Sequence, residues 1–164
     1  MTITMTDFFN WPSLGYLGLI PFVFTLILTS VGITLPAISP VQLFIAYSAC
    51  ILSFLAGTLW LNGEAITTGA TAQGKTQELA TGNQVTNKSA SIFSNVITLL
   101  AFACLLLPTP IAIGGLAIGF CLLLVLEFKW QLFTGKPAGY KMLRVVLTAV
   151  VVSCHVAMFG LIGR

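Results

Sequence analysis

The sequence predicts an all-α integral membrane protein: a bundle of five transmembrane helices, N-terminus inside and C-terminus outside. Three observations predict it. The 164-residue chain is 57% hydrophobic and only 7% charged, whereas about a quarter of a soluble domain is charged. Its apolar residues gather into five long stretches, and a bilayer crossing takes about 20 predominantly apolar residues. Its Lys and Arg residues crowd onto one side of those stretches. With a mean hydropathy of +1.03, so short a chain cannot hide its apolar surface in a core of its own, and lipid must cover the excess.

The first span runs from about Ser13 to Leu35 and stops at Pro36. The second runs from Val41 to Asn62, the third from Ser91 to Leu107, the fourth from Ile111 to Phe128 and the fifth from Met142 to Ile162. Helices are the economical choice, because lipid cannot satisfy open backbone groups and these runs lack the alternation of barrel strands. Pro36–Pro40 and Pro108–Pro110 read as tight turns, since proline has no backbone donor and stops a helix. Residues 63–90 are rich in Thr, Gly, Gln and Asn and read as a polar inner loop, with a helical turn near Gln77–Ala80. The 129–141 connection is short and basic. The whole of 1–164 is one membrane domain.

Charge sets the sidedness. With five spans, Lys75, Lys88, Lys129, Lys136, Lys141 and Arg144 share the N-terminal face, and Arg164 stands opposite. Lys/Arg-rich loops stay inside. Trp11, Trp60 and Trp130 fall at the same inner ends, the level of an aromatic belt. The first 12 residues hold no Lys or Arg, so no cleavable signal is expected and the first stretch remains a helix.

Within the second span, Tyr47, Ser48, Ser53, Thr58 and Asn62 interrupt the apolar run. They read as glue between helices or as the lining of a cavity. Gly115 and Gly119 form a GxxxG pair, which serves packing within the bundle or a dimer. The four cysteines, Cys50, Cys104, Cys121 and Cys154, read as packing residues.

The fifth span carries the candidate polar face. Arg144, Thr148 and His155 stand at i, i+4 and i+11, nearly three full turns, so they share one face. His155 lies about 16 Å deeper than Arg144 by helix rise. An ionisable group at that depth faces protein or water. It serves either a proton or solute path entered past Arg144, or a neutral histidine bonded to a neighbouring helix. Glu127 and Arg144 end and begin adjacent spans near the inner surface, and are the candidate ion pair. No metal site is expected from one His and scattered Cys. No cofactor or enzyme motif occurs, so the protein is expected not to be an enzyme. The net charge of +3 is too dilute for a nucleic-acid partner.

Three runs, GYLGLIPFVFTLIL at 15–28, AYSACILSFLAGTLW at 46–60 and GYKMLRVVLTAVVV at 139–152, resemble the transmembrane protein 69-like family, also known as domain of unknown function 3429. The specific parts are Pro21-Phe22, the Ser53-Phe54-Leu55-x-Gly57 core with Trp60, and Tyr140 followed by Leu143-Arg144 and Leu147-Thr148. The likeness covers nearly the whole chain in order. It departs at Leu59 and Leu61, where the family has a His before the Trp and a Gly after it, and in the length of 63–90. The resemblance implies a multi-pass protein of the bacterial inner membrane, or of the mitochondrial inner membrane in a eukaryote, with no assigned activity. The expected role is structural, assembly or accessory; the alternative is a proton or small-solute transporter or channel. The expected partners are the lipid bilayer and a second copy of the chain or a larger membrane complex.

Overall fold

The structure is a computed structural model that describes residues 15–33, 36–71, 78–130 and 139–163, with side chains for all of these except 60–88. All regular elements among them are helical: α1 Ile20–Val31, α2 Pro40–Thr71, α3 Glu78–Leu106, α4 Thr109–Lys129 and α5 Tyr140–Ile162. Trp11, Lys75, Lys136 and Arg164, used above to assign sidedness, lie outside the described residues, as does the side chain of Trp60.

Among the described residues, four helices are long and apolar enough to cross a membrane: Pro40–Leu59 within α2, Ser89–Leu106 within α3, and all of α4 and α5. The first apolar helix ends at Val31, before the Leu35 read from the sequence. Its described part, Gly15–Val31, is about 25 Å long by helix rise. It is also interrupted by a turn at Gly18-Leu19, where Leu19 N–H bonds to Tyr16 O. Pro21 explains the break, since it has no N–H to offer the Leu17 carbonyl. The far end closes at Gly32, whose φ of 74° is a left-handed conformation. Ile33 N–H returns to Leu28 O, so the orphan carbonyls are satisfied by a glycine C-cap.

The largest difference from the sequence reading is at 63–90. Most of it is helix, not loop: α2 continues to Thr71 and α3 begins at Glu78. Residues 72–77 lie outside the description. No proline occurs between 41 and 107, and Ala, Glu, Gln and Leu sustain a helix without apolar content. Hydropathy marks where lipid ends, not where the helix ends. At 32 and 29 residues, α2 and α3 reach about 48 and 44 Å. Residues 60–71 and 78–88 therefore carry the pair about 17 Å past its apolar windows.

Each helix packs on the next, and α1 closes the ring against α5, while α2 also touches α4. α1 and α5 run parallel. Gly15 sits against Leu143 and Leu147, Phe22 against His155, and Ser30 shares a groove with Gly160. The centre is filled by Phe22, Phe44, Leu52, Ile97, Leu116 and Met158. Phe54, Leu99, Leu106, Ile118 and Val156 point outward. So broad an apolar surface belongs to lipid.

The GxxxG pair faces inward. A Cβ on Gly119 would lie 2.6 Å from Leu52 Cδ2, and one on Gly115 2.8 Å from Cys104 Sγ. The glycines thus let α4 approach α2 and α3. The cysteines divide: Cys104 and Cys154 pack inside, whereas Cys50 and Cys121 are exposed. The hydroxyls are less of a glue than the sequence suggests. Ser48 donates to Phe44 O and Thr98 to Ser94 O, each to its own helix. Tyr47 does cross, donating to Gly18 O at 2.9 Å.

Candidate functional site

Arg144, Thr148, Val151, Cys154, His155 and Met158 form the buried face of α5. The three polar residues share that face but enter different surroundings.

At the first end, Arg144 meets Glu127 across the α4–α5 interface. Nε donates to Oε2 at 2.8 Å and Nη2 to Oε1 at 3.0 Å. Two parallel bonds match the planar fork of a guanidinium to a carboxylate. The residues are 7% and 4% exposed, so each charge depends on the other. Aromatic contacts surround this level: Phe93 meets Trp130 edge-on at 5.4 Å, and Lys141 Nζ lies 4.8 Å from the Phe128 ring centroid. The second is a cation–π distance.

At the other end, His155 is 1% exposed. Its Nδ1 stands 2.8 Å from Val151 O. A carbonyl can only accept, so Nδ1 carries the proton in this contact. Nε2 has no hydrogen-bond partner among the described residues. Around the ring stand Phe44 at 4.8 Å, Phe120 at 5.6 Å and Phe22 at 5.9 Å between centroids. This cage of three phenylalanines, from α4, α2 and α1, was not anticipated. The cue lay in an aromatic residue inside each apolar stretch, but periodicity cannot say which rings converge.

Between the two ends lies a cavity of about 320 Å³. Arg144 and Thr148 line it; His155 does not. Its other walls include Phe22, Ile51, Phe54 and Phe120. Gly15 and Gly18 also line it, and their missing side chains help leave the space open. The α2 wall is Ile51, Phe54 and Leu55, so the polar residues of the second span do not line the cavity as their composition suggested. Phe54 is 72% exposed, which places the mouth on the lipid-facing surface. The face read as one path from Arg144 to His155 is thus divided: a cavity at Arg144 and Thr148, then packed aromatic core. No group of three or more His, Cys, Asp or Glu side chains that could hold a metal occurs among the described residues.

Residues 10–160 match the family described as Protein of unknown function (DUF3429). The chain belongs to that family. Transmembrane protein 69 of Xenopus tropicalis is 34% identical to this DUF3429 protein over 151 residues, which cover 92% of the chain and 51% of the relative. The chain therefore spans about half the length of the curated relative it matches. No solved structure matches it. The DUF3429 match contains the cavity, the ion pair and the phenylalanine cage together.

Proposed function

We propose that this DUF3429 protein is a structural, assembly or accessory component of a membrane, acting through contacts and not through turnover. The observation that carries this reading is the α2–α3 pair. Residues 60–71 and 78–88 extend it about 17 Å beyond its apolar windows. We read this as a helical platform outside the lipid, continuous with the helices within it. The other conspicuous polar groups have internal uses: Glu127 and Arg144 pair with each other, and His155 donates to its own helix and packs among phenylalanines. No enzymatic role is proposed. Purification of the full chain in mild detergent should recover a stoichiometric complex, with a second copy or another membrane protein. A clean monodisperse monomer would count against the reading.

We propose further that the N-terminus lies inside and the C-terminus outside. The parallel course of α1 and α5 supports this, because it sets their N-terminal ends on one side, where Lys88, Lys129, Lys141 and Arg144 also gather. The compartment proposed is the bacterial inner membrane, or the mitochondrial inner membrane if the source is eukaryotic. A reporter inserted within 72–77 should be active on the inner side only.

A second reading, a proton or small-solute carrier, draws on the cavity at Thr148. It loses the proton path, since His155 neither lines the cavity nor has a described partner at Nε2. A proteoliposome assay showing proton flux abolished by His155→Phe would restore it.

A further inference from the structure

The cavity at Thr148 has three properties that specify an occupant. Its walls are mainly apolar, with Phe22, Ile51, Phe54 and Phe120 among them, and its mouth at Phe54 faces lipid. Entry is from the bilayer. Its polar groups, the Arg144 guanidinium and the Thr148 hydroxyl, can both donate. Thr148 is 5% exposed and makes no hydrogen bond among the described residues. Arg144 engages Glu127 through Nε and Nη2 and keeps Nη1 outside the fork. The Thr148 hydroxyl opens onto the cavity, and in so apolar a setting a ligand acceptor satisfies it best. Finally, the charge is already balanced. Glu127 matches Arg144, so an anion would add a buried, unmatched negative charge, and a cation would meet the guanidinium.

We infer that this cavity binds a membrane amphiphile through an uncharged carbonyl oxygen. The carbonyl accepts from the Thr148 hydroxyl at the Arg144 end, and the apolar chain or ring lies against Phe22 and Phe120. A volume of about 320 Å³ sits at the low end of small-molecule sites. It takes a single ring or part of one acyl chain, not a whole diacyl lipid. Two membrane constituents present this chemistry: the acyl ester of a lipid and the ring carbonyl of a quinone. The inference does not depend on the accessory role proposed above.

The test uses the full chain, purified in mild detergent and stripped of co-purified lipid. It is titrated with methyl dodecanoate, with dodecanoate and with decyl-1,4-benzoquinone, and binding is read by native mass spectrometry and the thermal midpoint. The ester or the quinone should bind one per chain, and the anion at least tenfold more weakly. The tighter of the two neutral probes identifies the source. Thr148→Val keeps the shape and should weaken that probe about tenfold, the worth of one strong hydrogen bond. Thr148→Phe should abolish binding by filling the space; if that variant does not fold, Thr148→Val decides. Equal binding of the anion, no binding of either neutral probe, or unchanged binding to Thr148→Val would overturn the proposal.

Discussion

Arg144 on α5 and Glu127 on α4 are joined by two parallel hydrogen bonds, at 2.8 and 3.0 Å, in a setting almost closed to solvent. The connection between these helices includes residues outside the description, so the fork is the clearest restraint on their relative height. Removing one partner strands the other. Glu127→Ala or Arg144→Ala should cost about 3–5 kcal/mol, the usual penalty for an unmatched buried charge. Replacing both with leucine should cost much less. Reversible unfolding in mixed detergent micelles measures all three; a double variant as unstable as the singles would contradict this account.

Gly119 and Gly114 lie on one helix and should behave oppositely. A Cβ at Gly119 would come within 2.6 Å of Leu52 Cδ2, whereas none of the neighbouring atoms lies within 4 Å of one at Gly114. Gly119→Ala should destabilise by about 1–3 kcal/mol through overpacking. Gly114→Ala should be neutral or slightly stabilising, because alanine favours the helix. Equal effects in an unfolding assay would contradict this assignment of faces.

His155 behaves in this structure as a fourth aromatic ring. His155→Phe fills similar space, removes an unpartnered Nε2, and should change stability by less than about 1.5 kcal/mol. His155→Ala opens a cavity and should cost about 3 kcal/mol or more. A large loss on substitution with phenylalanine would show that Nε2 has a partner. Nitrogen NMR of the labelled imidazole should show the Nδ1–H form alone.

The extension of α2 and α3 should be separable from the bundle. Replacing 62–88 with a short Gly/Ser link leaves both apolar windows, Pro40–Leu59 and Ser89–Leu106, so membrane insertion and the thermal midpoint should survive. Co-purification of a partner should not. Retention of a stoichiometric complex by that variant would remove the extension from the assembly role.

Much of the bundle can be read from the apolar stretches because lipid imposes a simple rule of length on them. α4 and α5 begin and end within two residues of their apolar runs, where Pro108 and Gly139 set the boundaries. Helix limits beyond the lipid follow no such rule. Residues 60–71 and 78–88 are polar yet helical, and a polar composition looked like a loop. At the site, the level shared by Glu127 and Arg144 follows from their positions at facing helix ends. The separation of Thr148 from His155 does not. It depends on which phenylalanines of three other helices turn inward, and that is decided by the packing of the whole ring.

The parallel course of α1 and α5 has a consequence for copies of this fold. With α1 and α5 parallel, a second copy of the bundle joined from α5 to α1 through a short link could not face the same way as the first. The second copy would stand upside down, presenting its long α2–α3 arm on the opposite side. Two arms that face the same way therefore come from separate chains or from copies joined by a longer link.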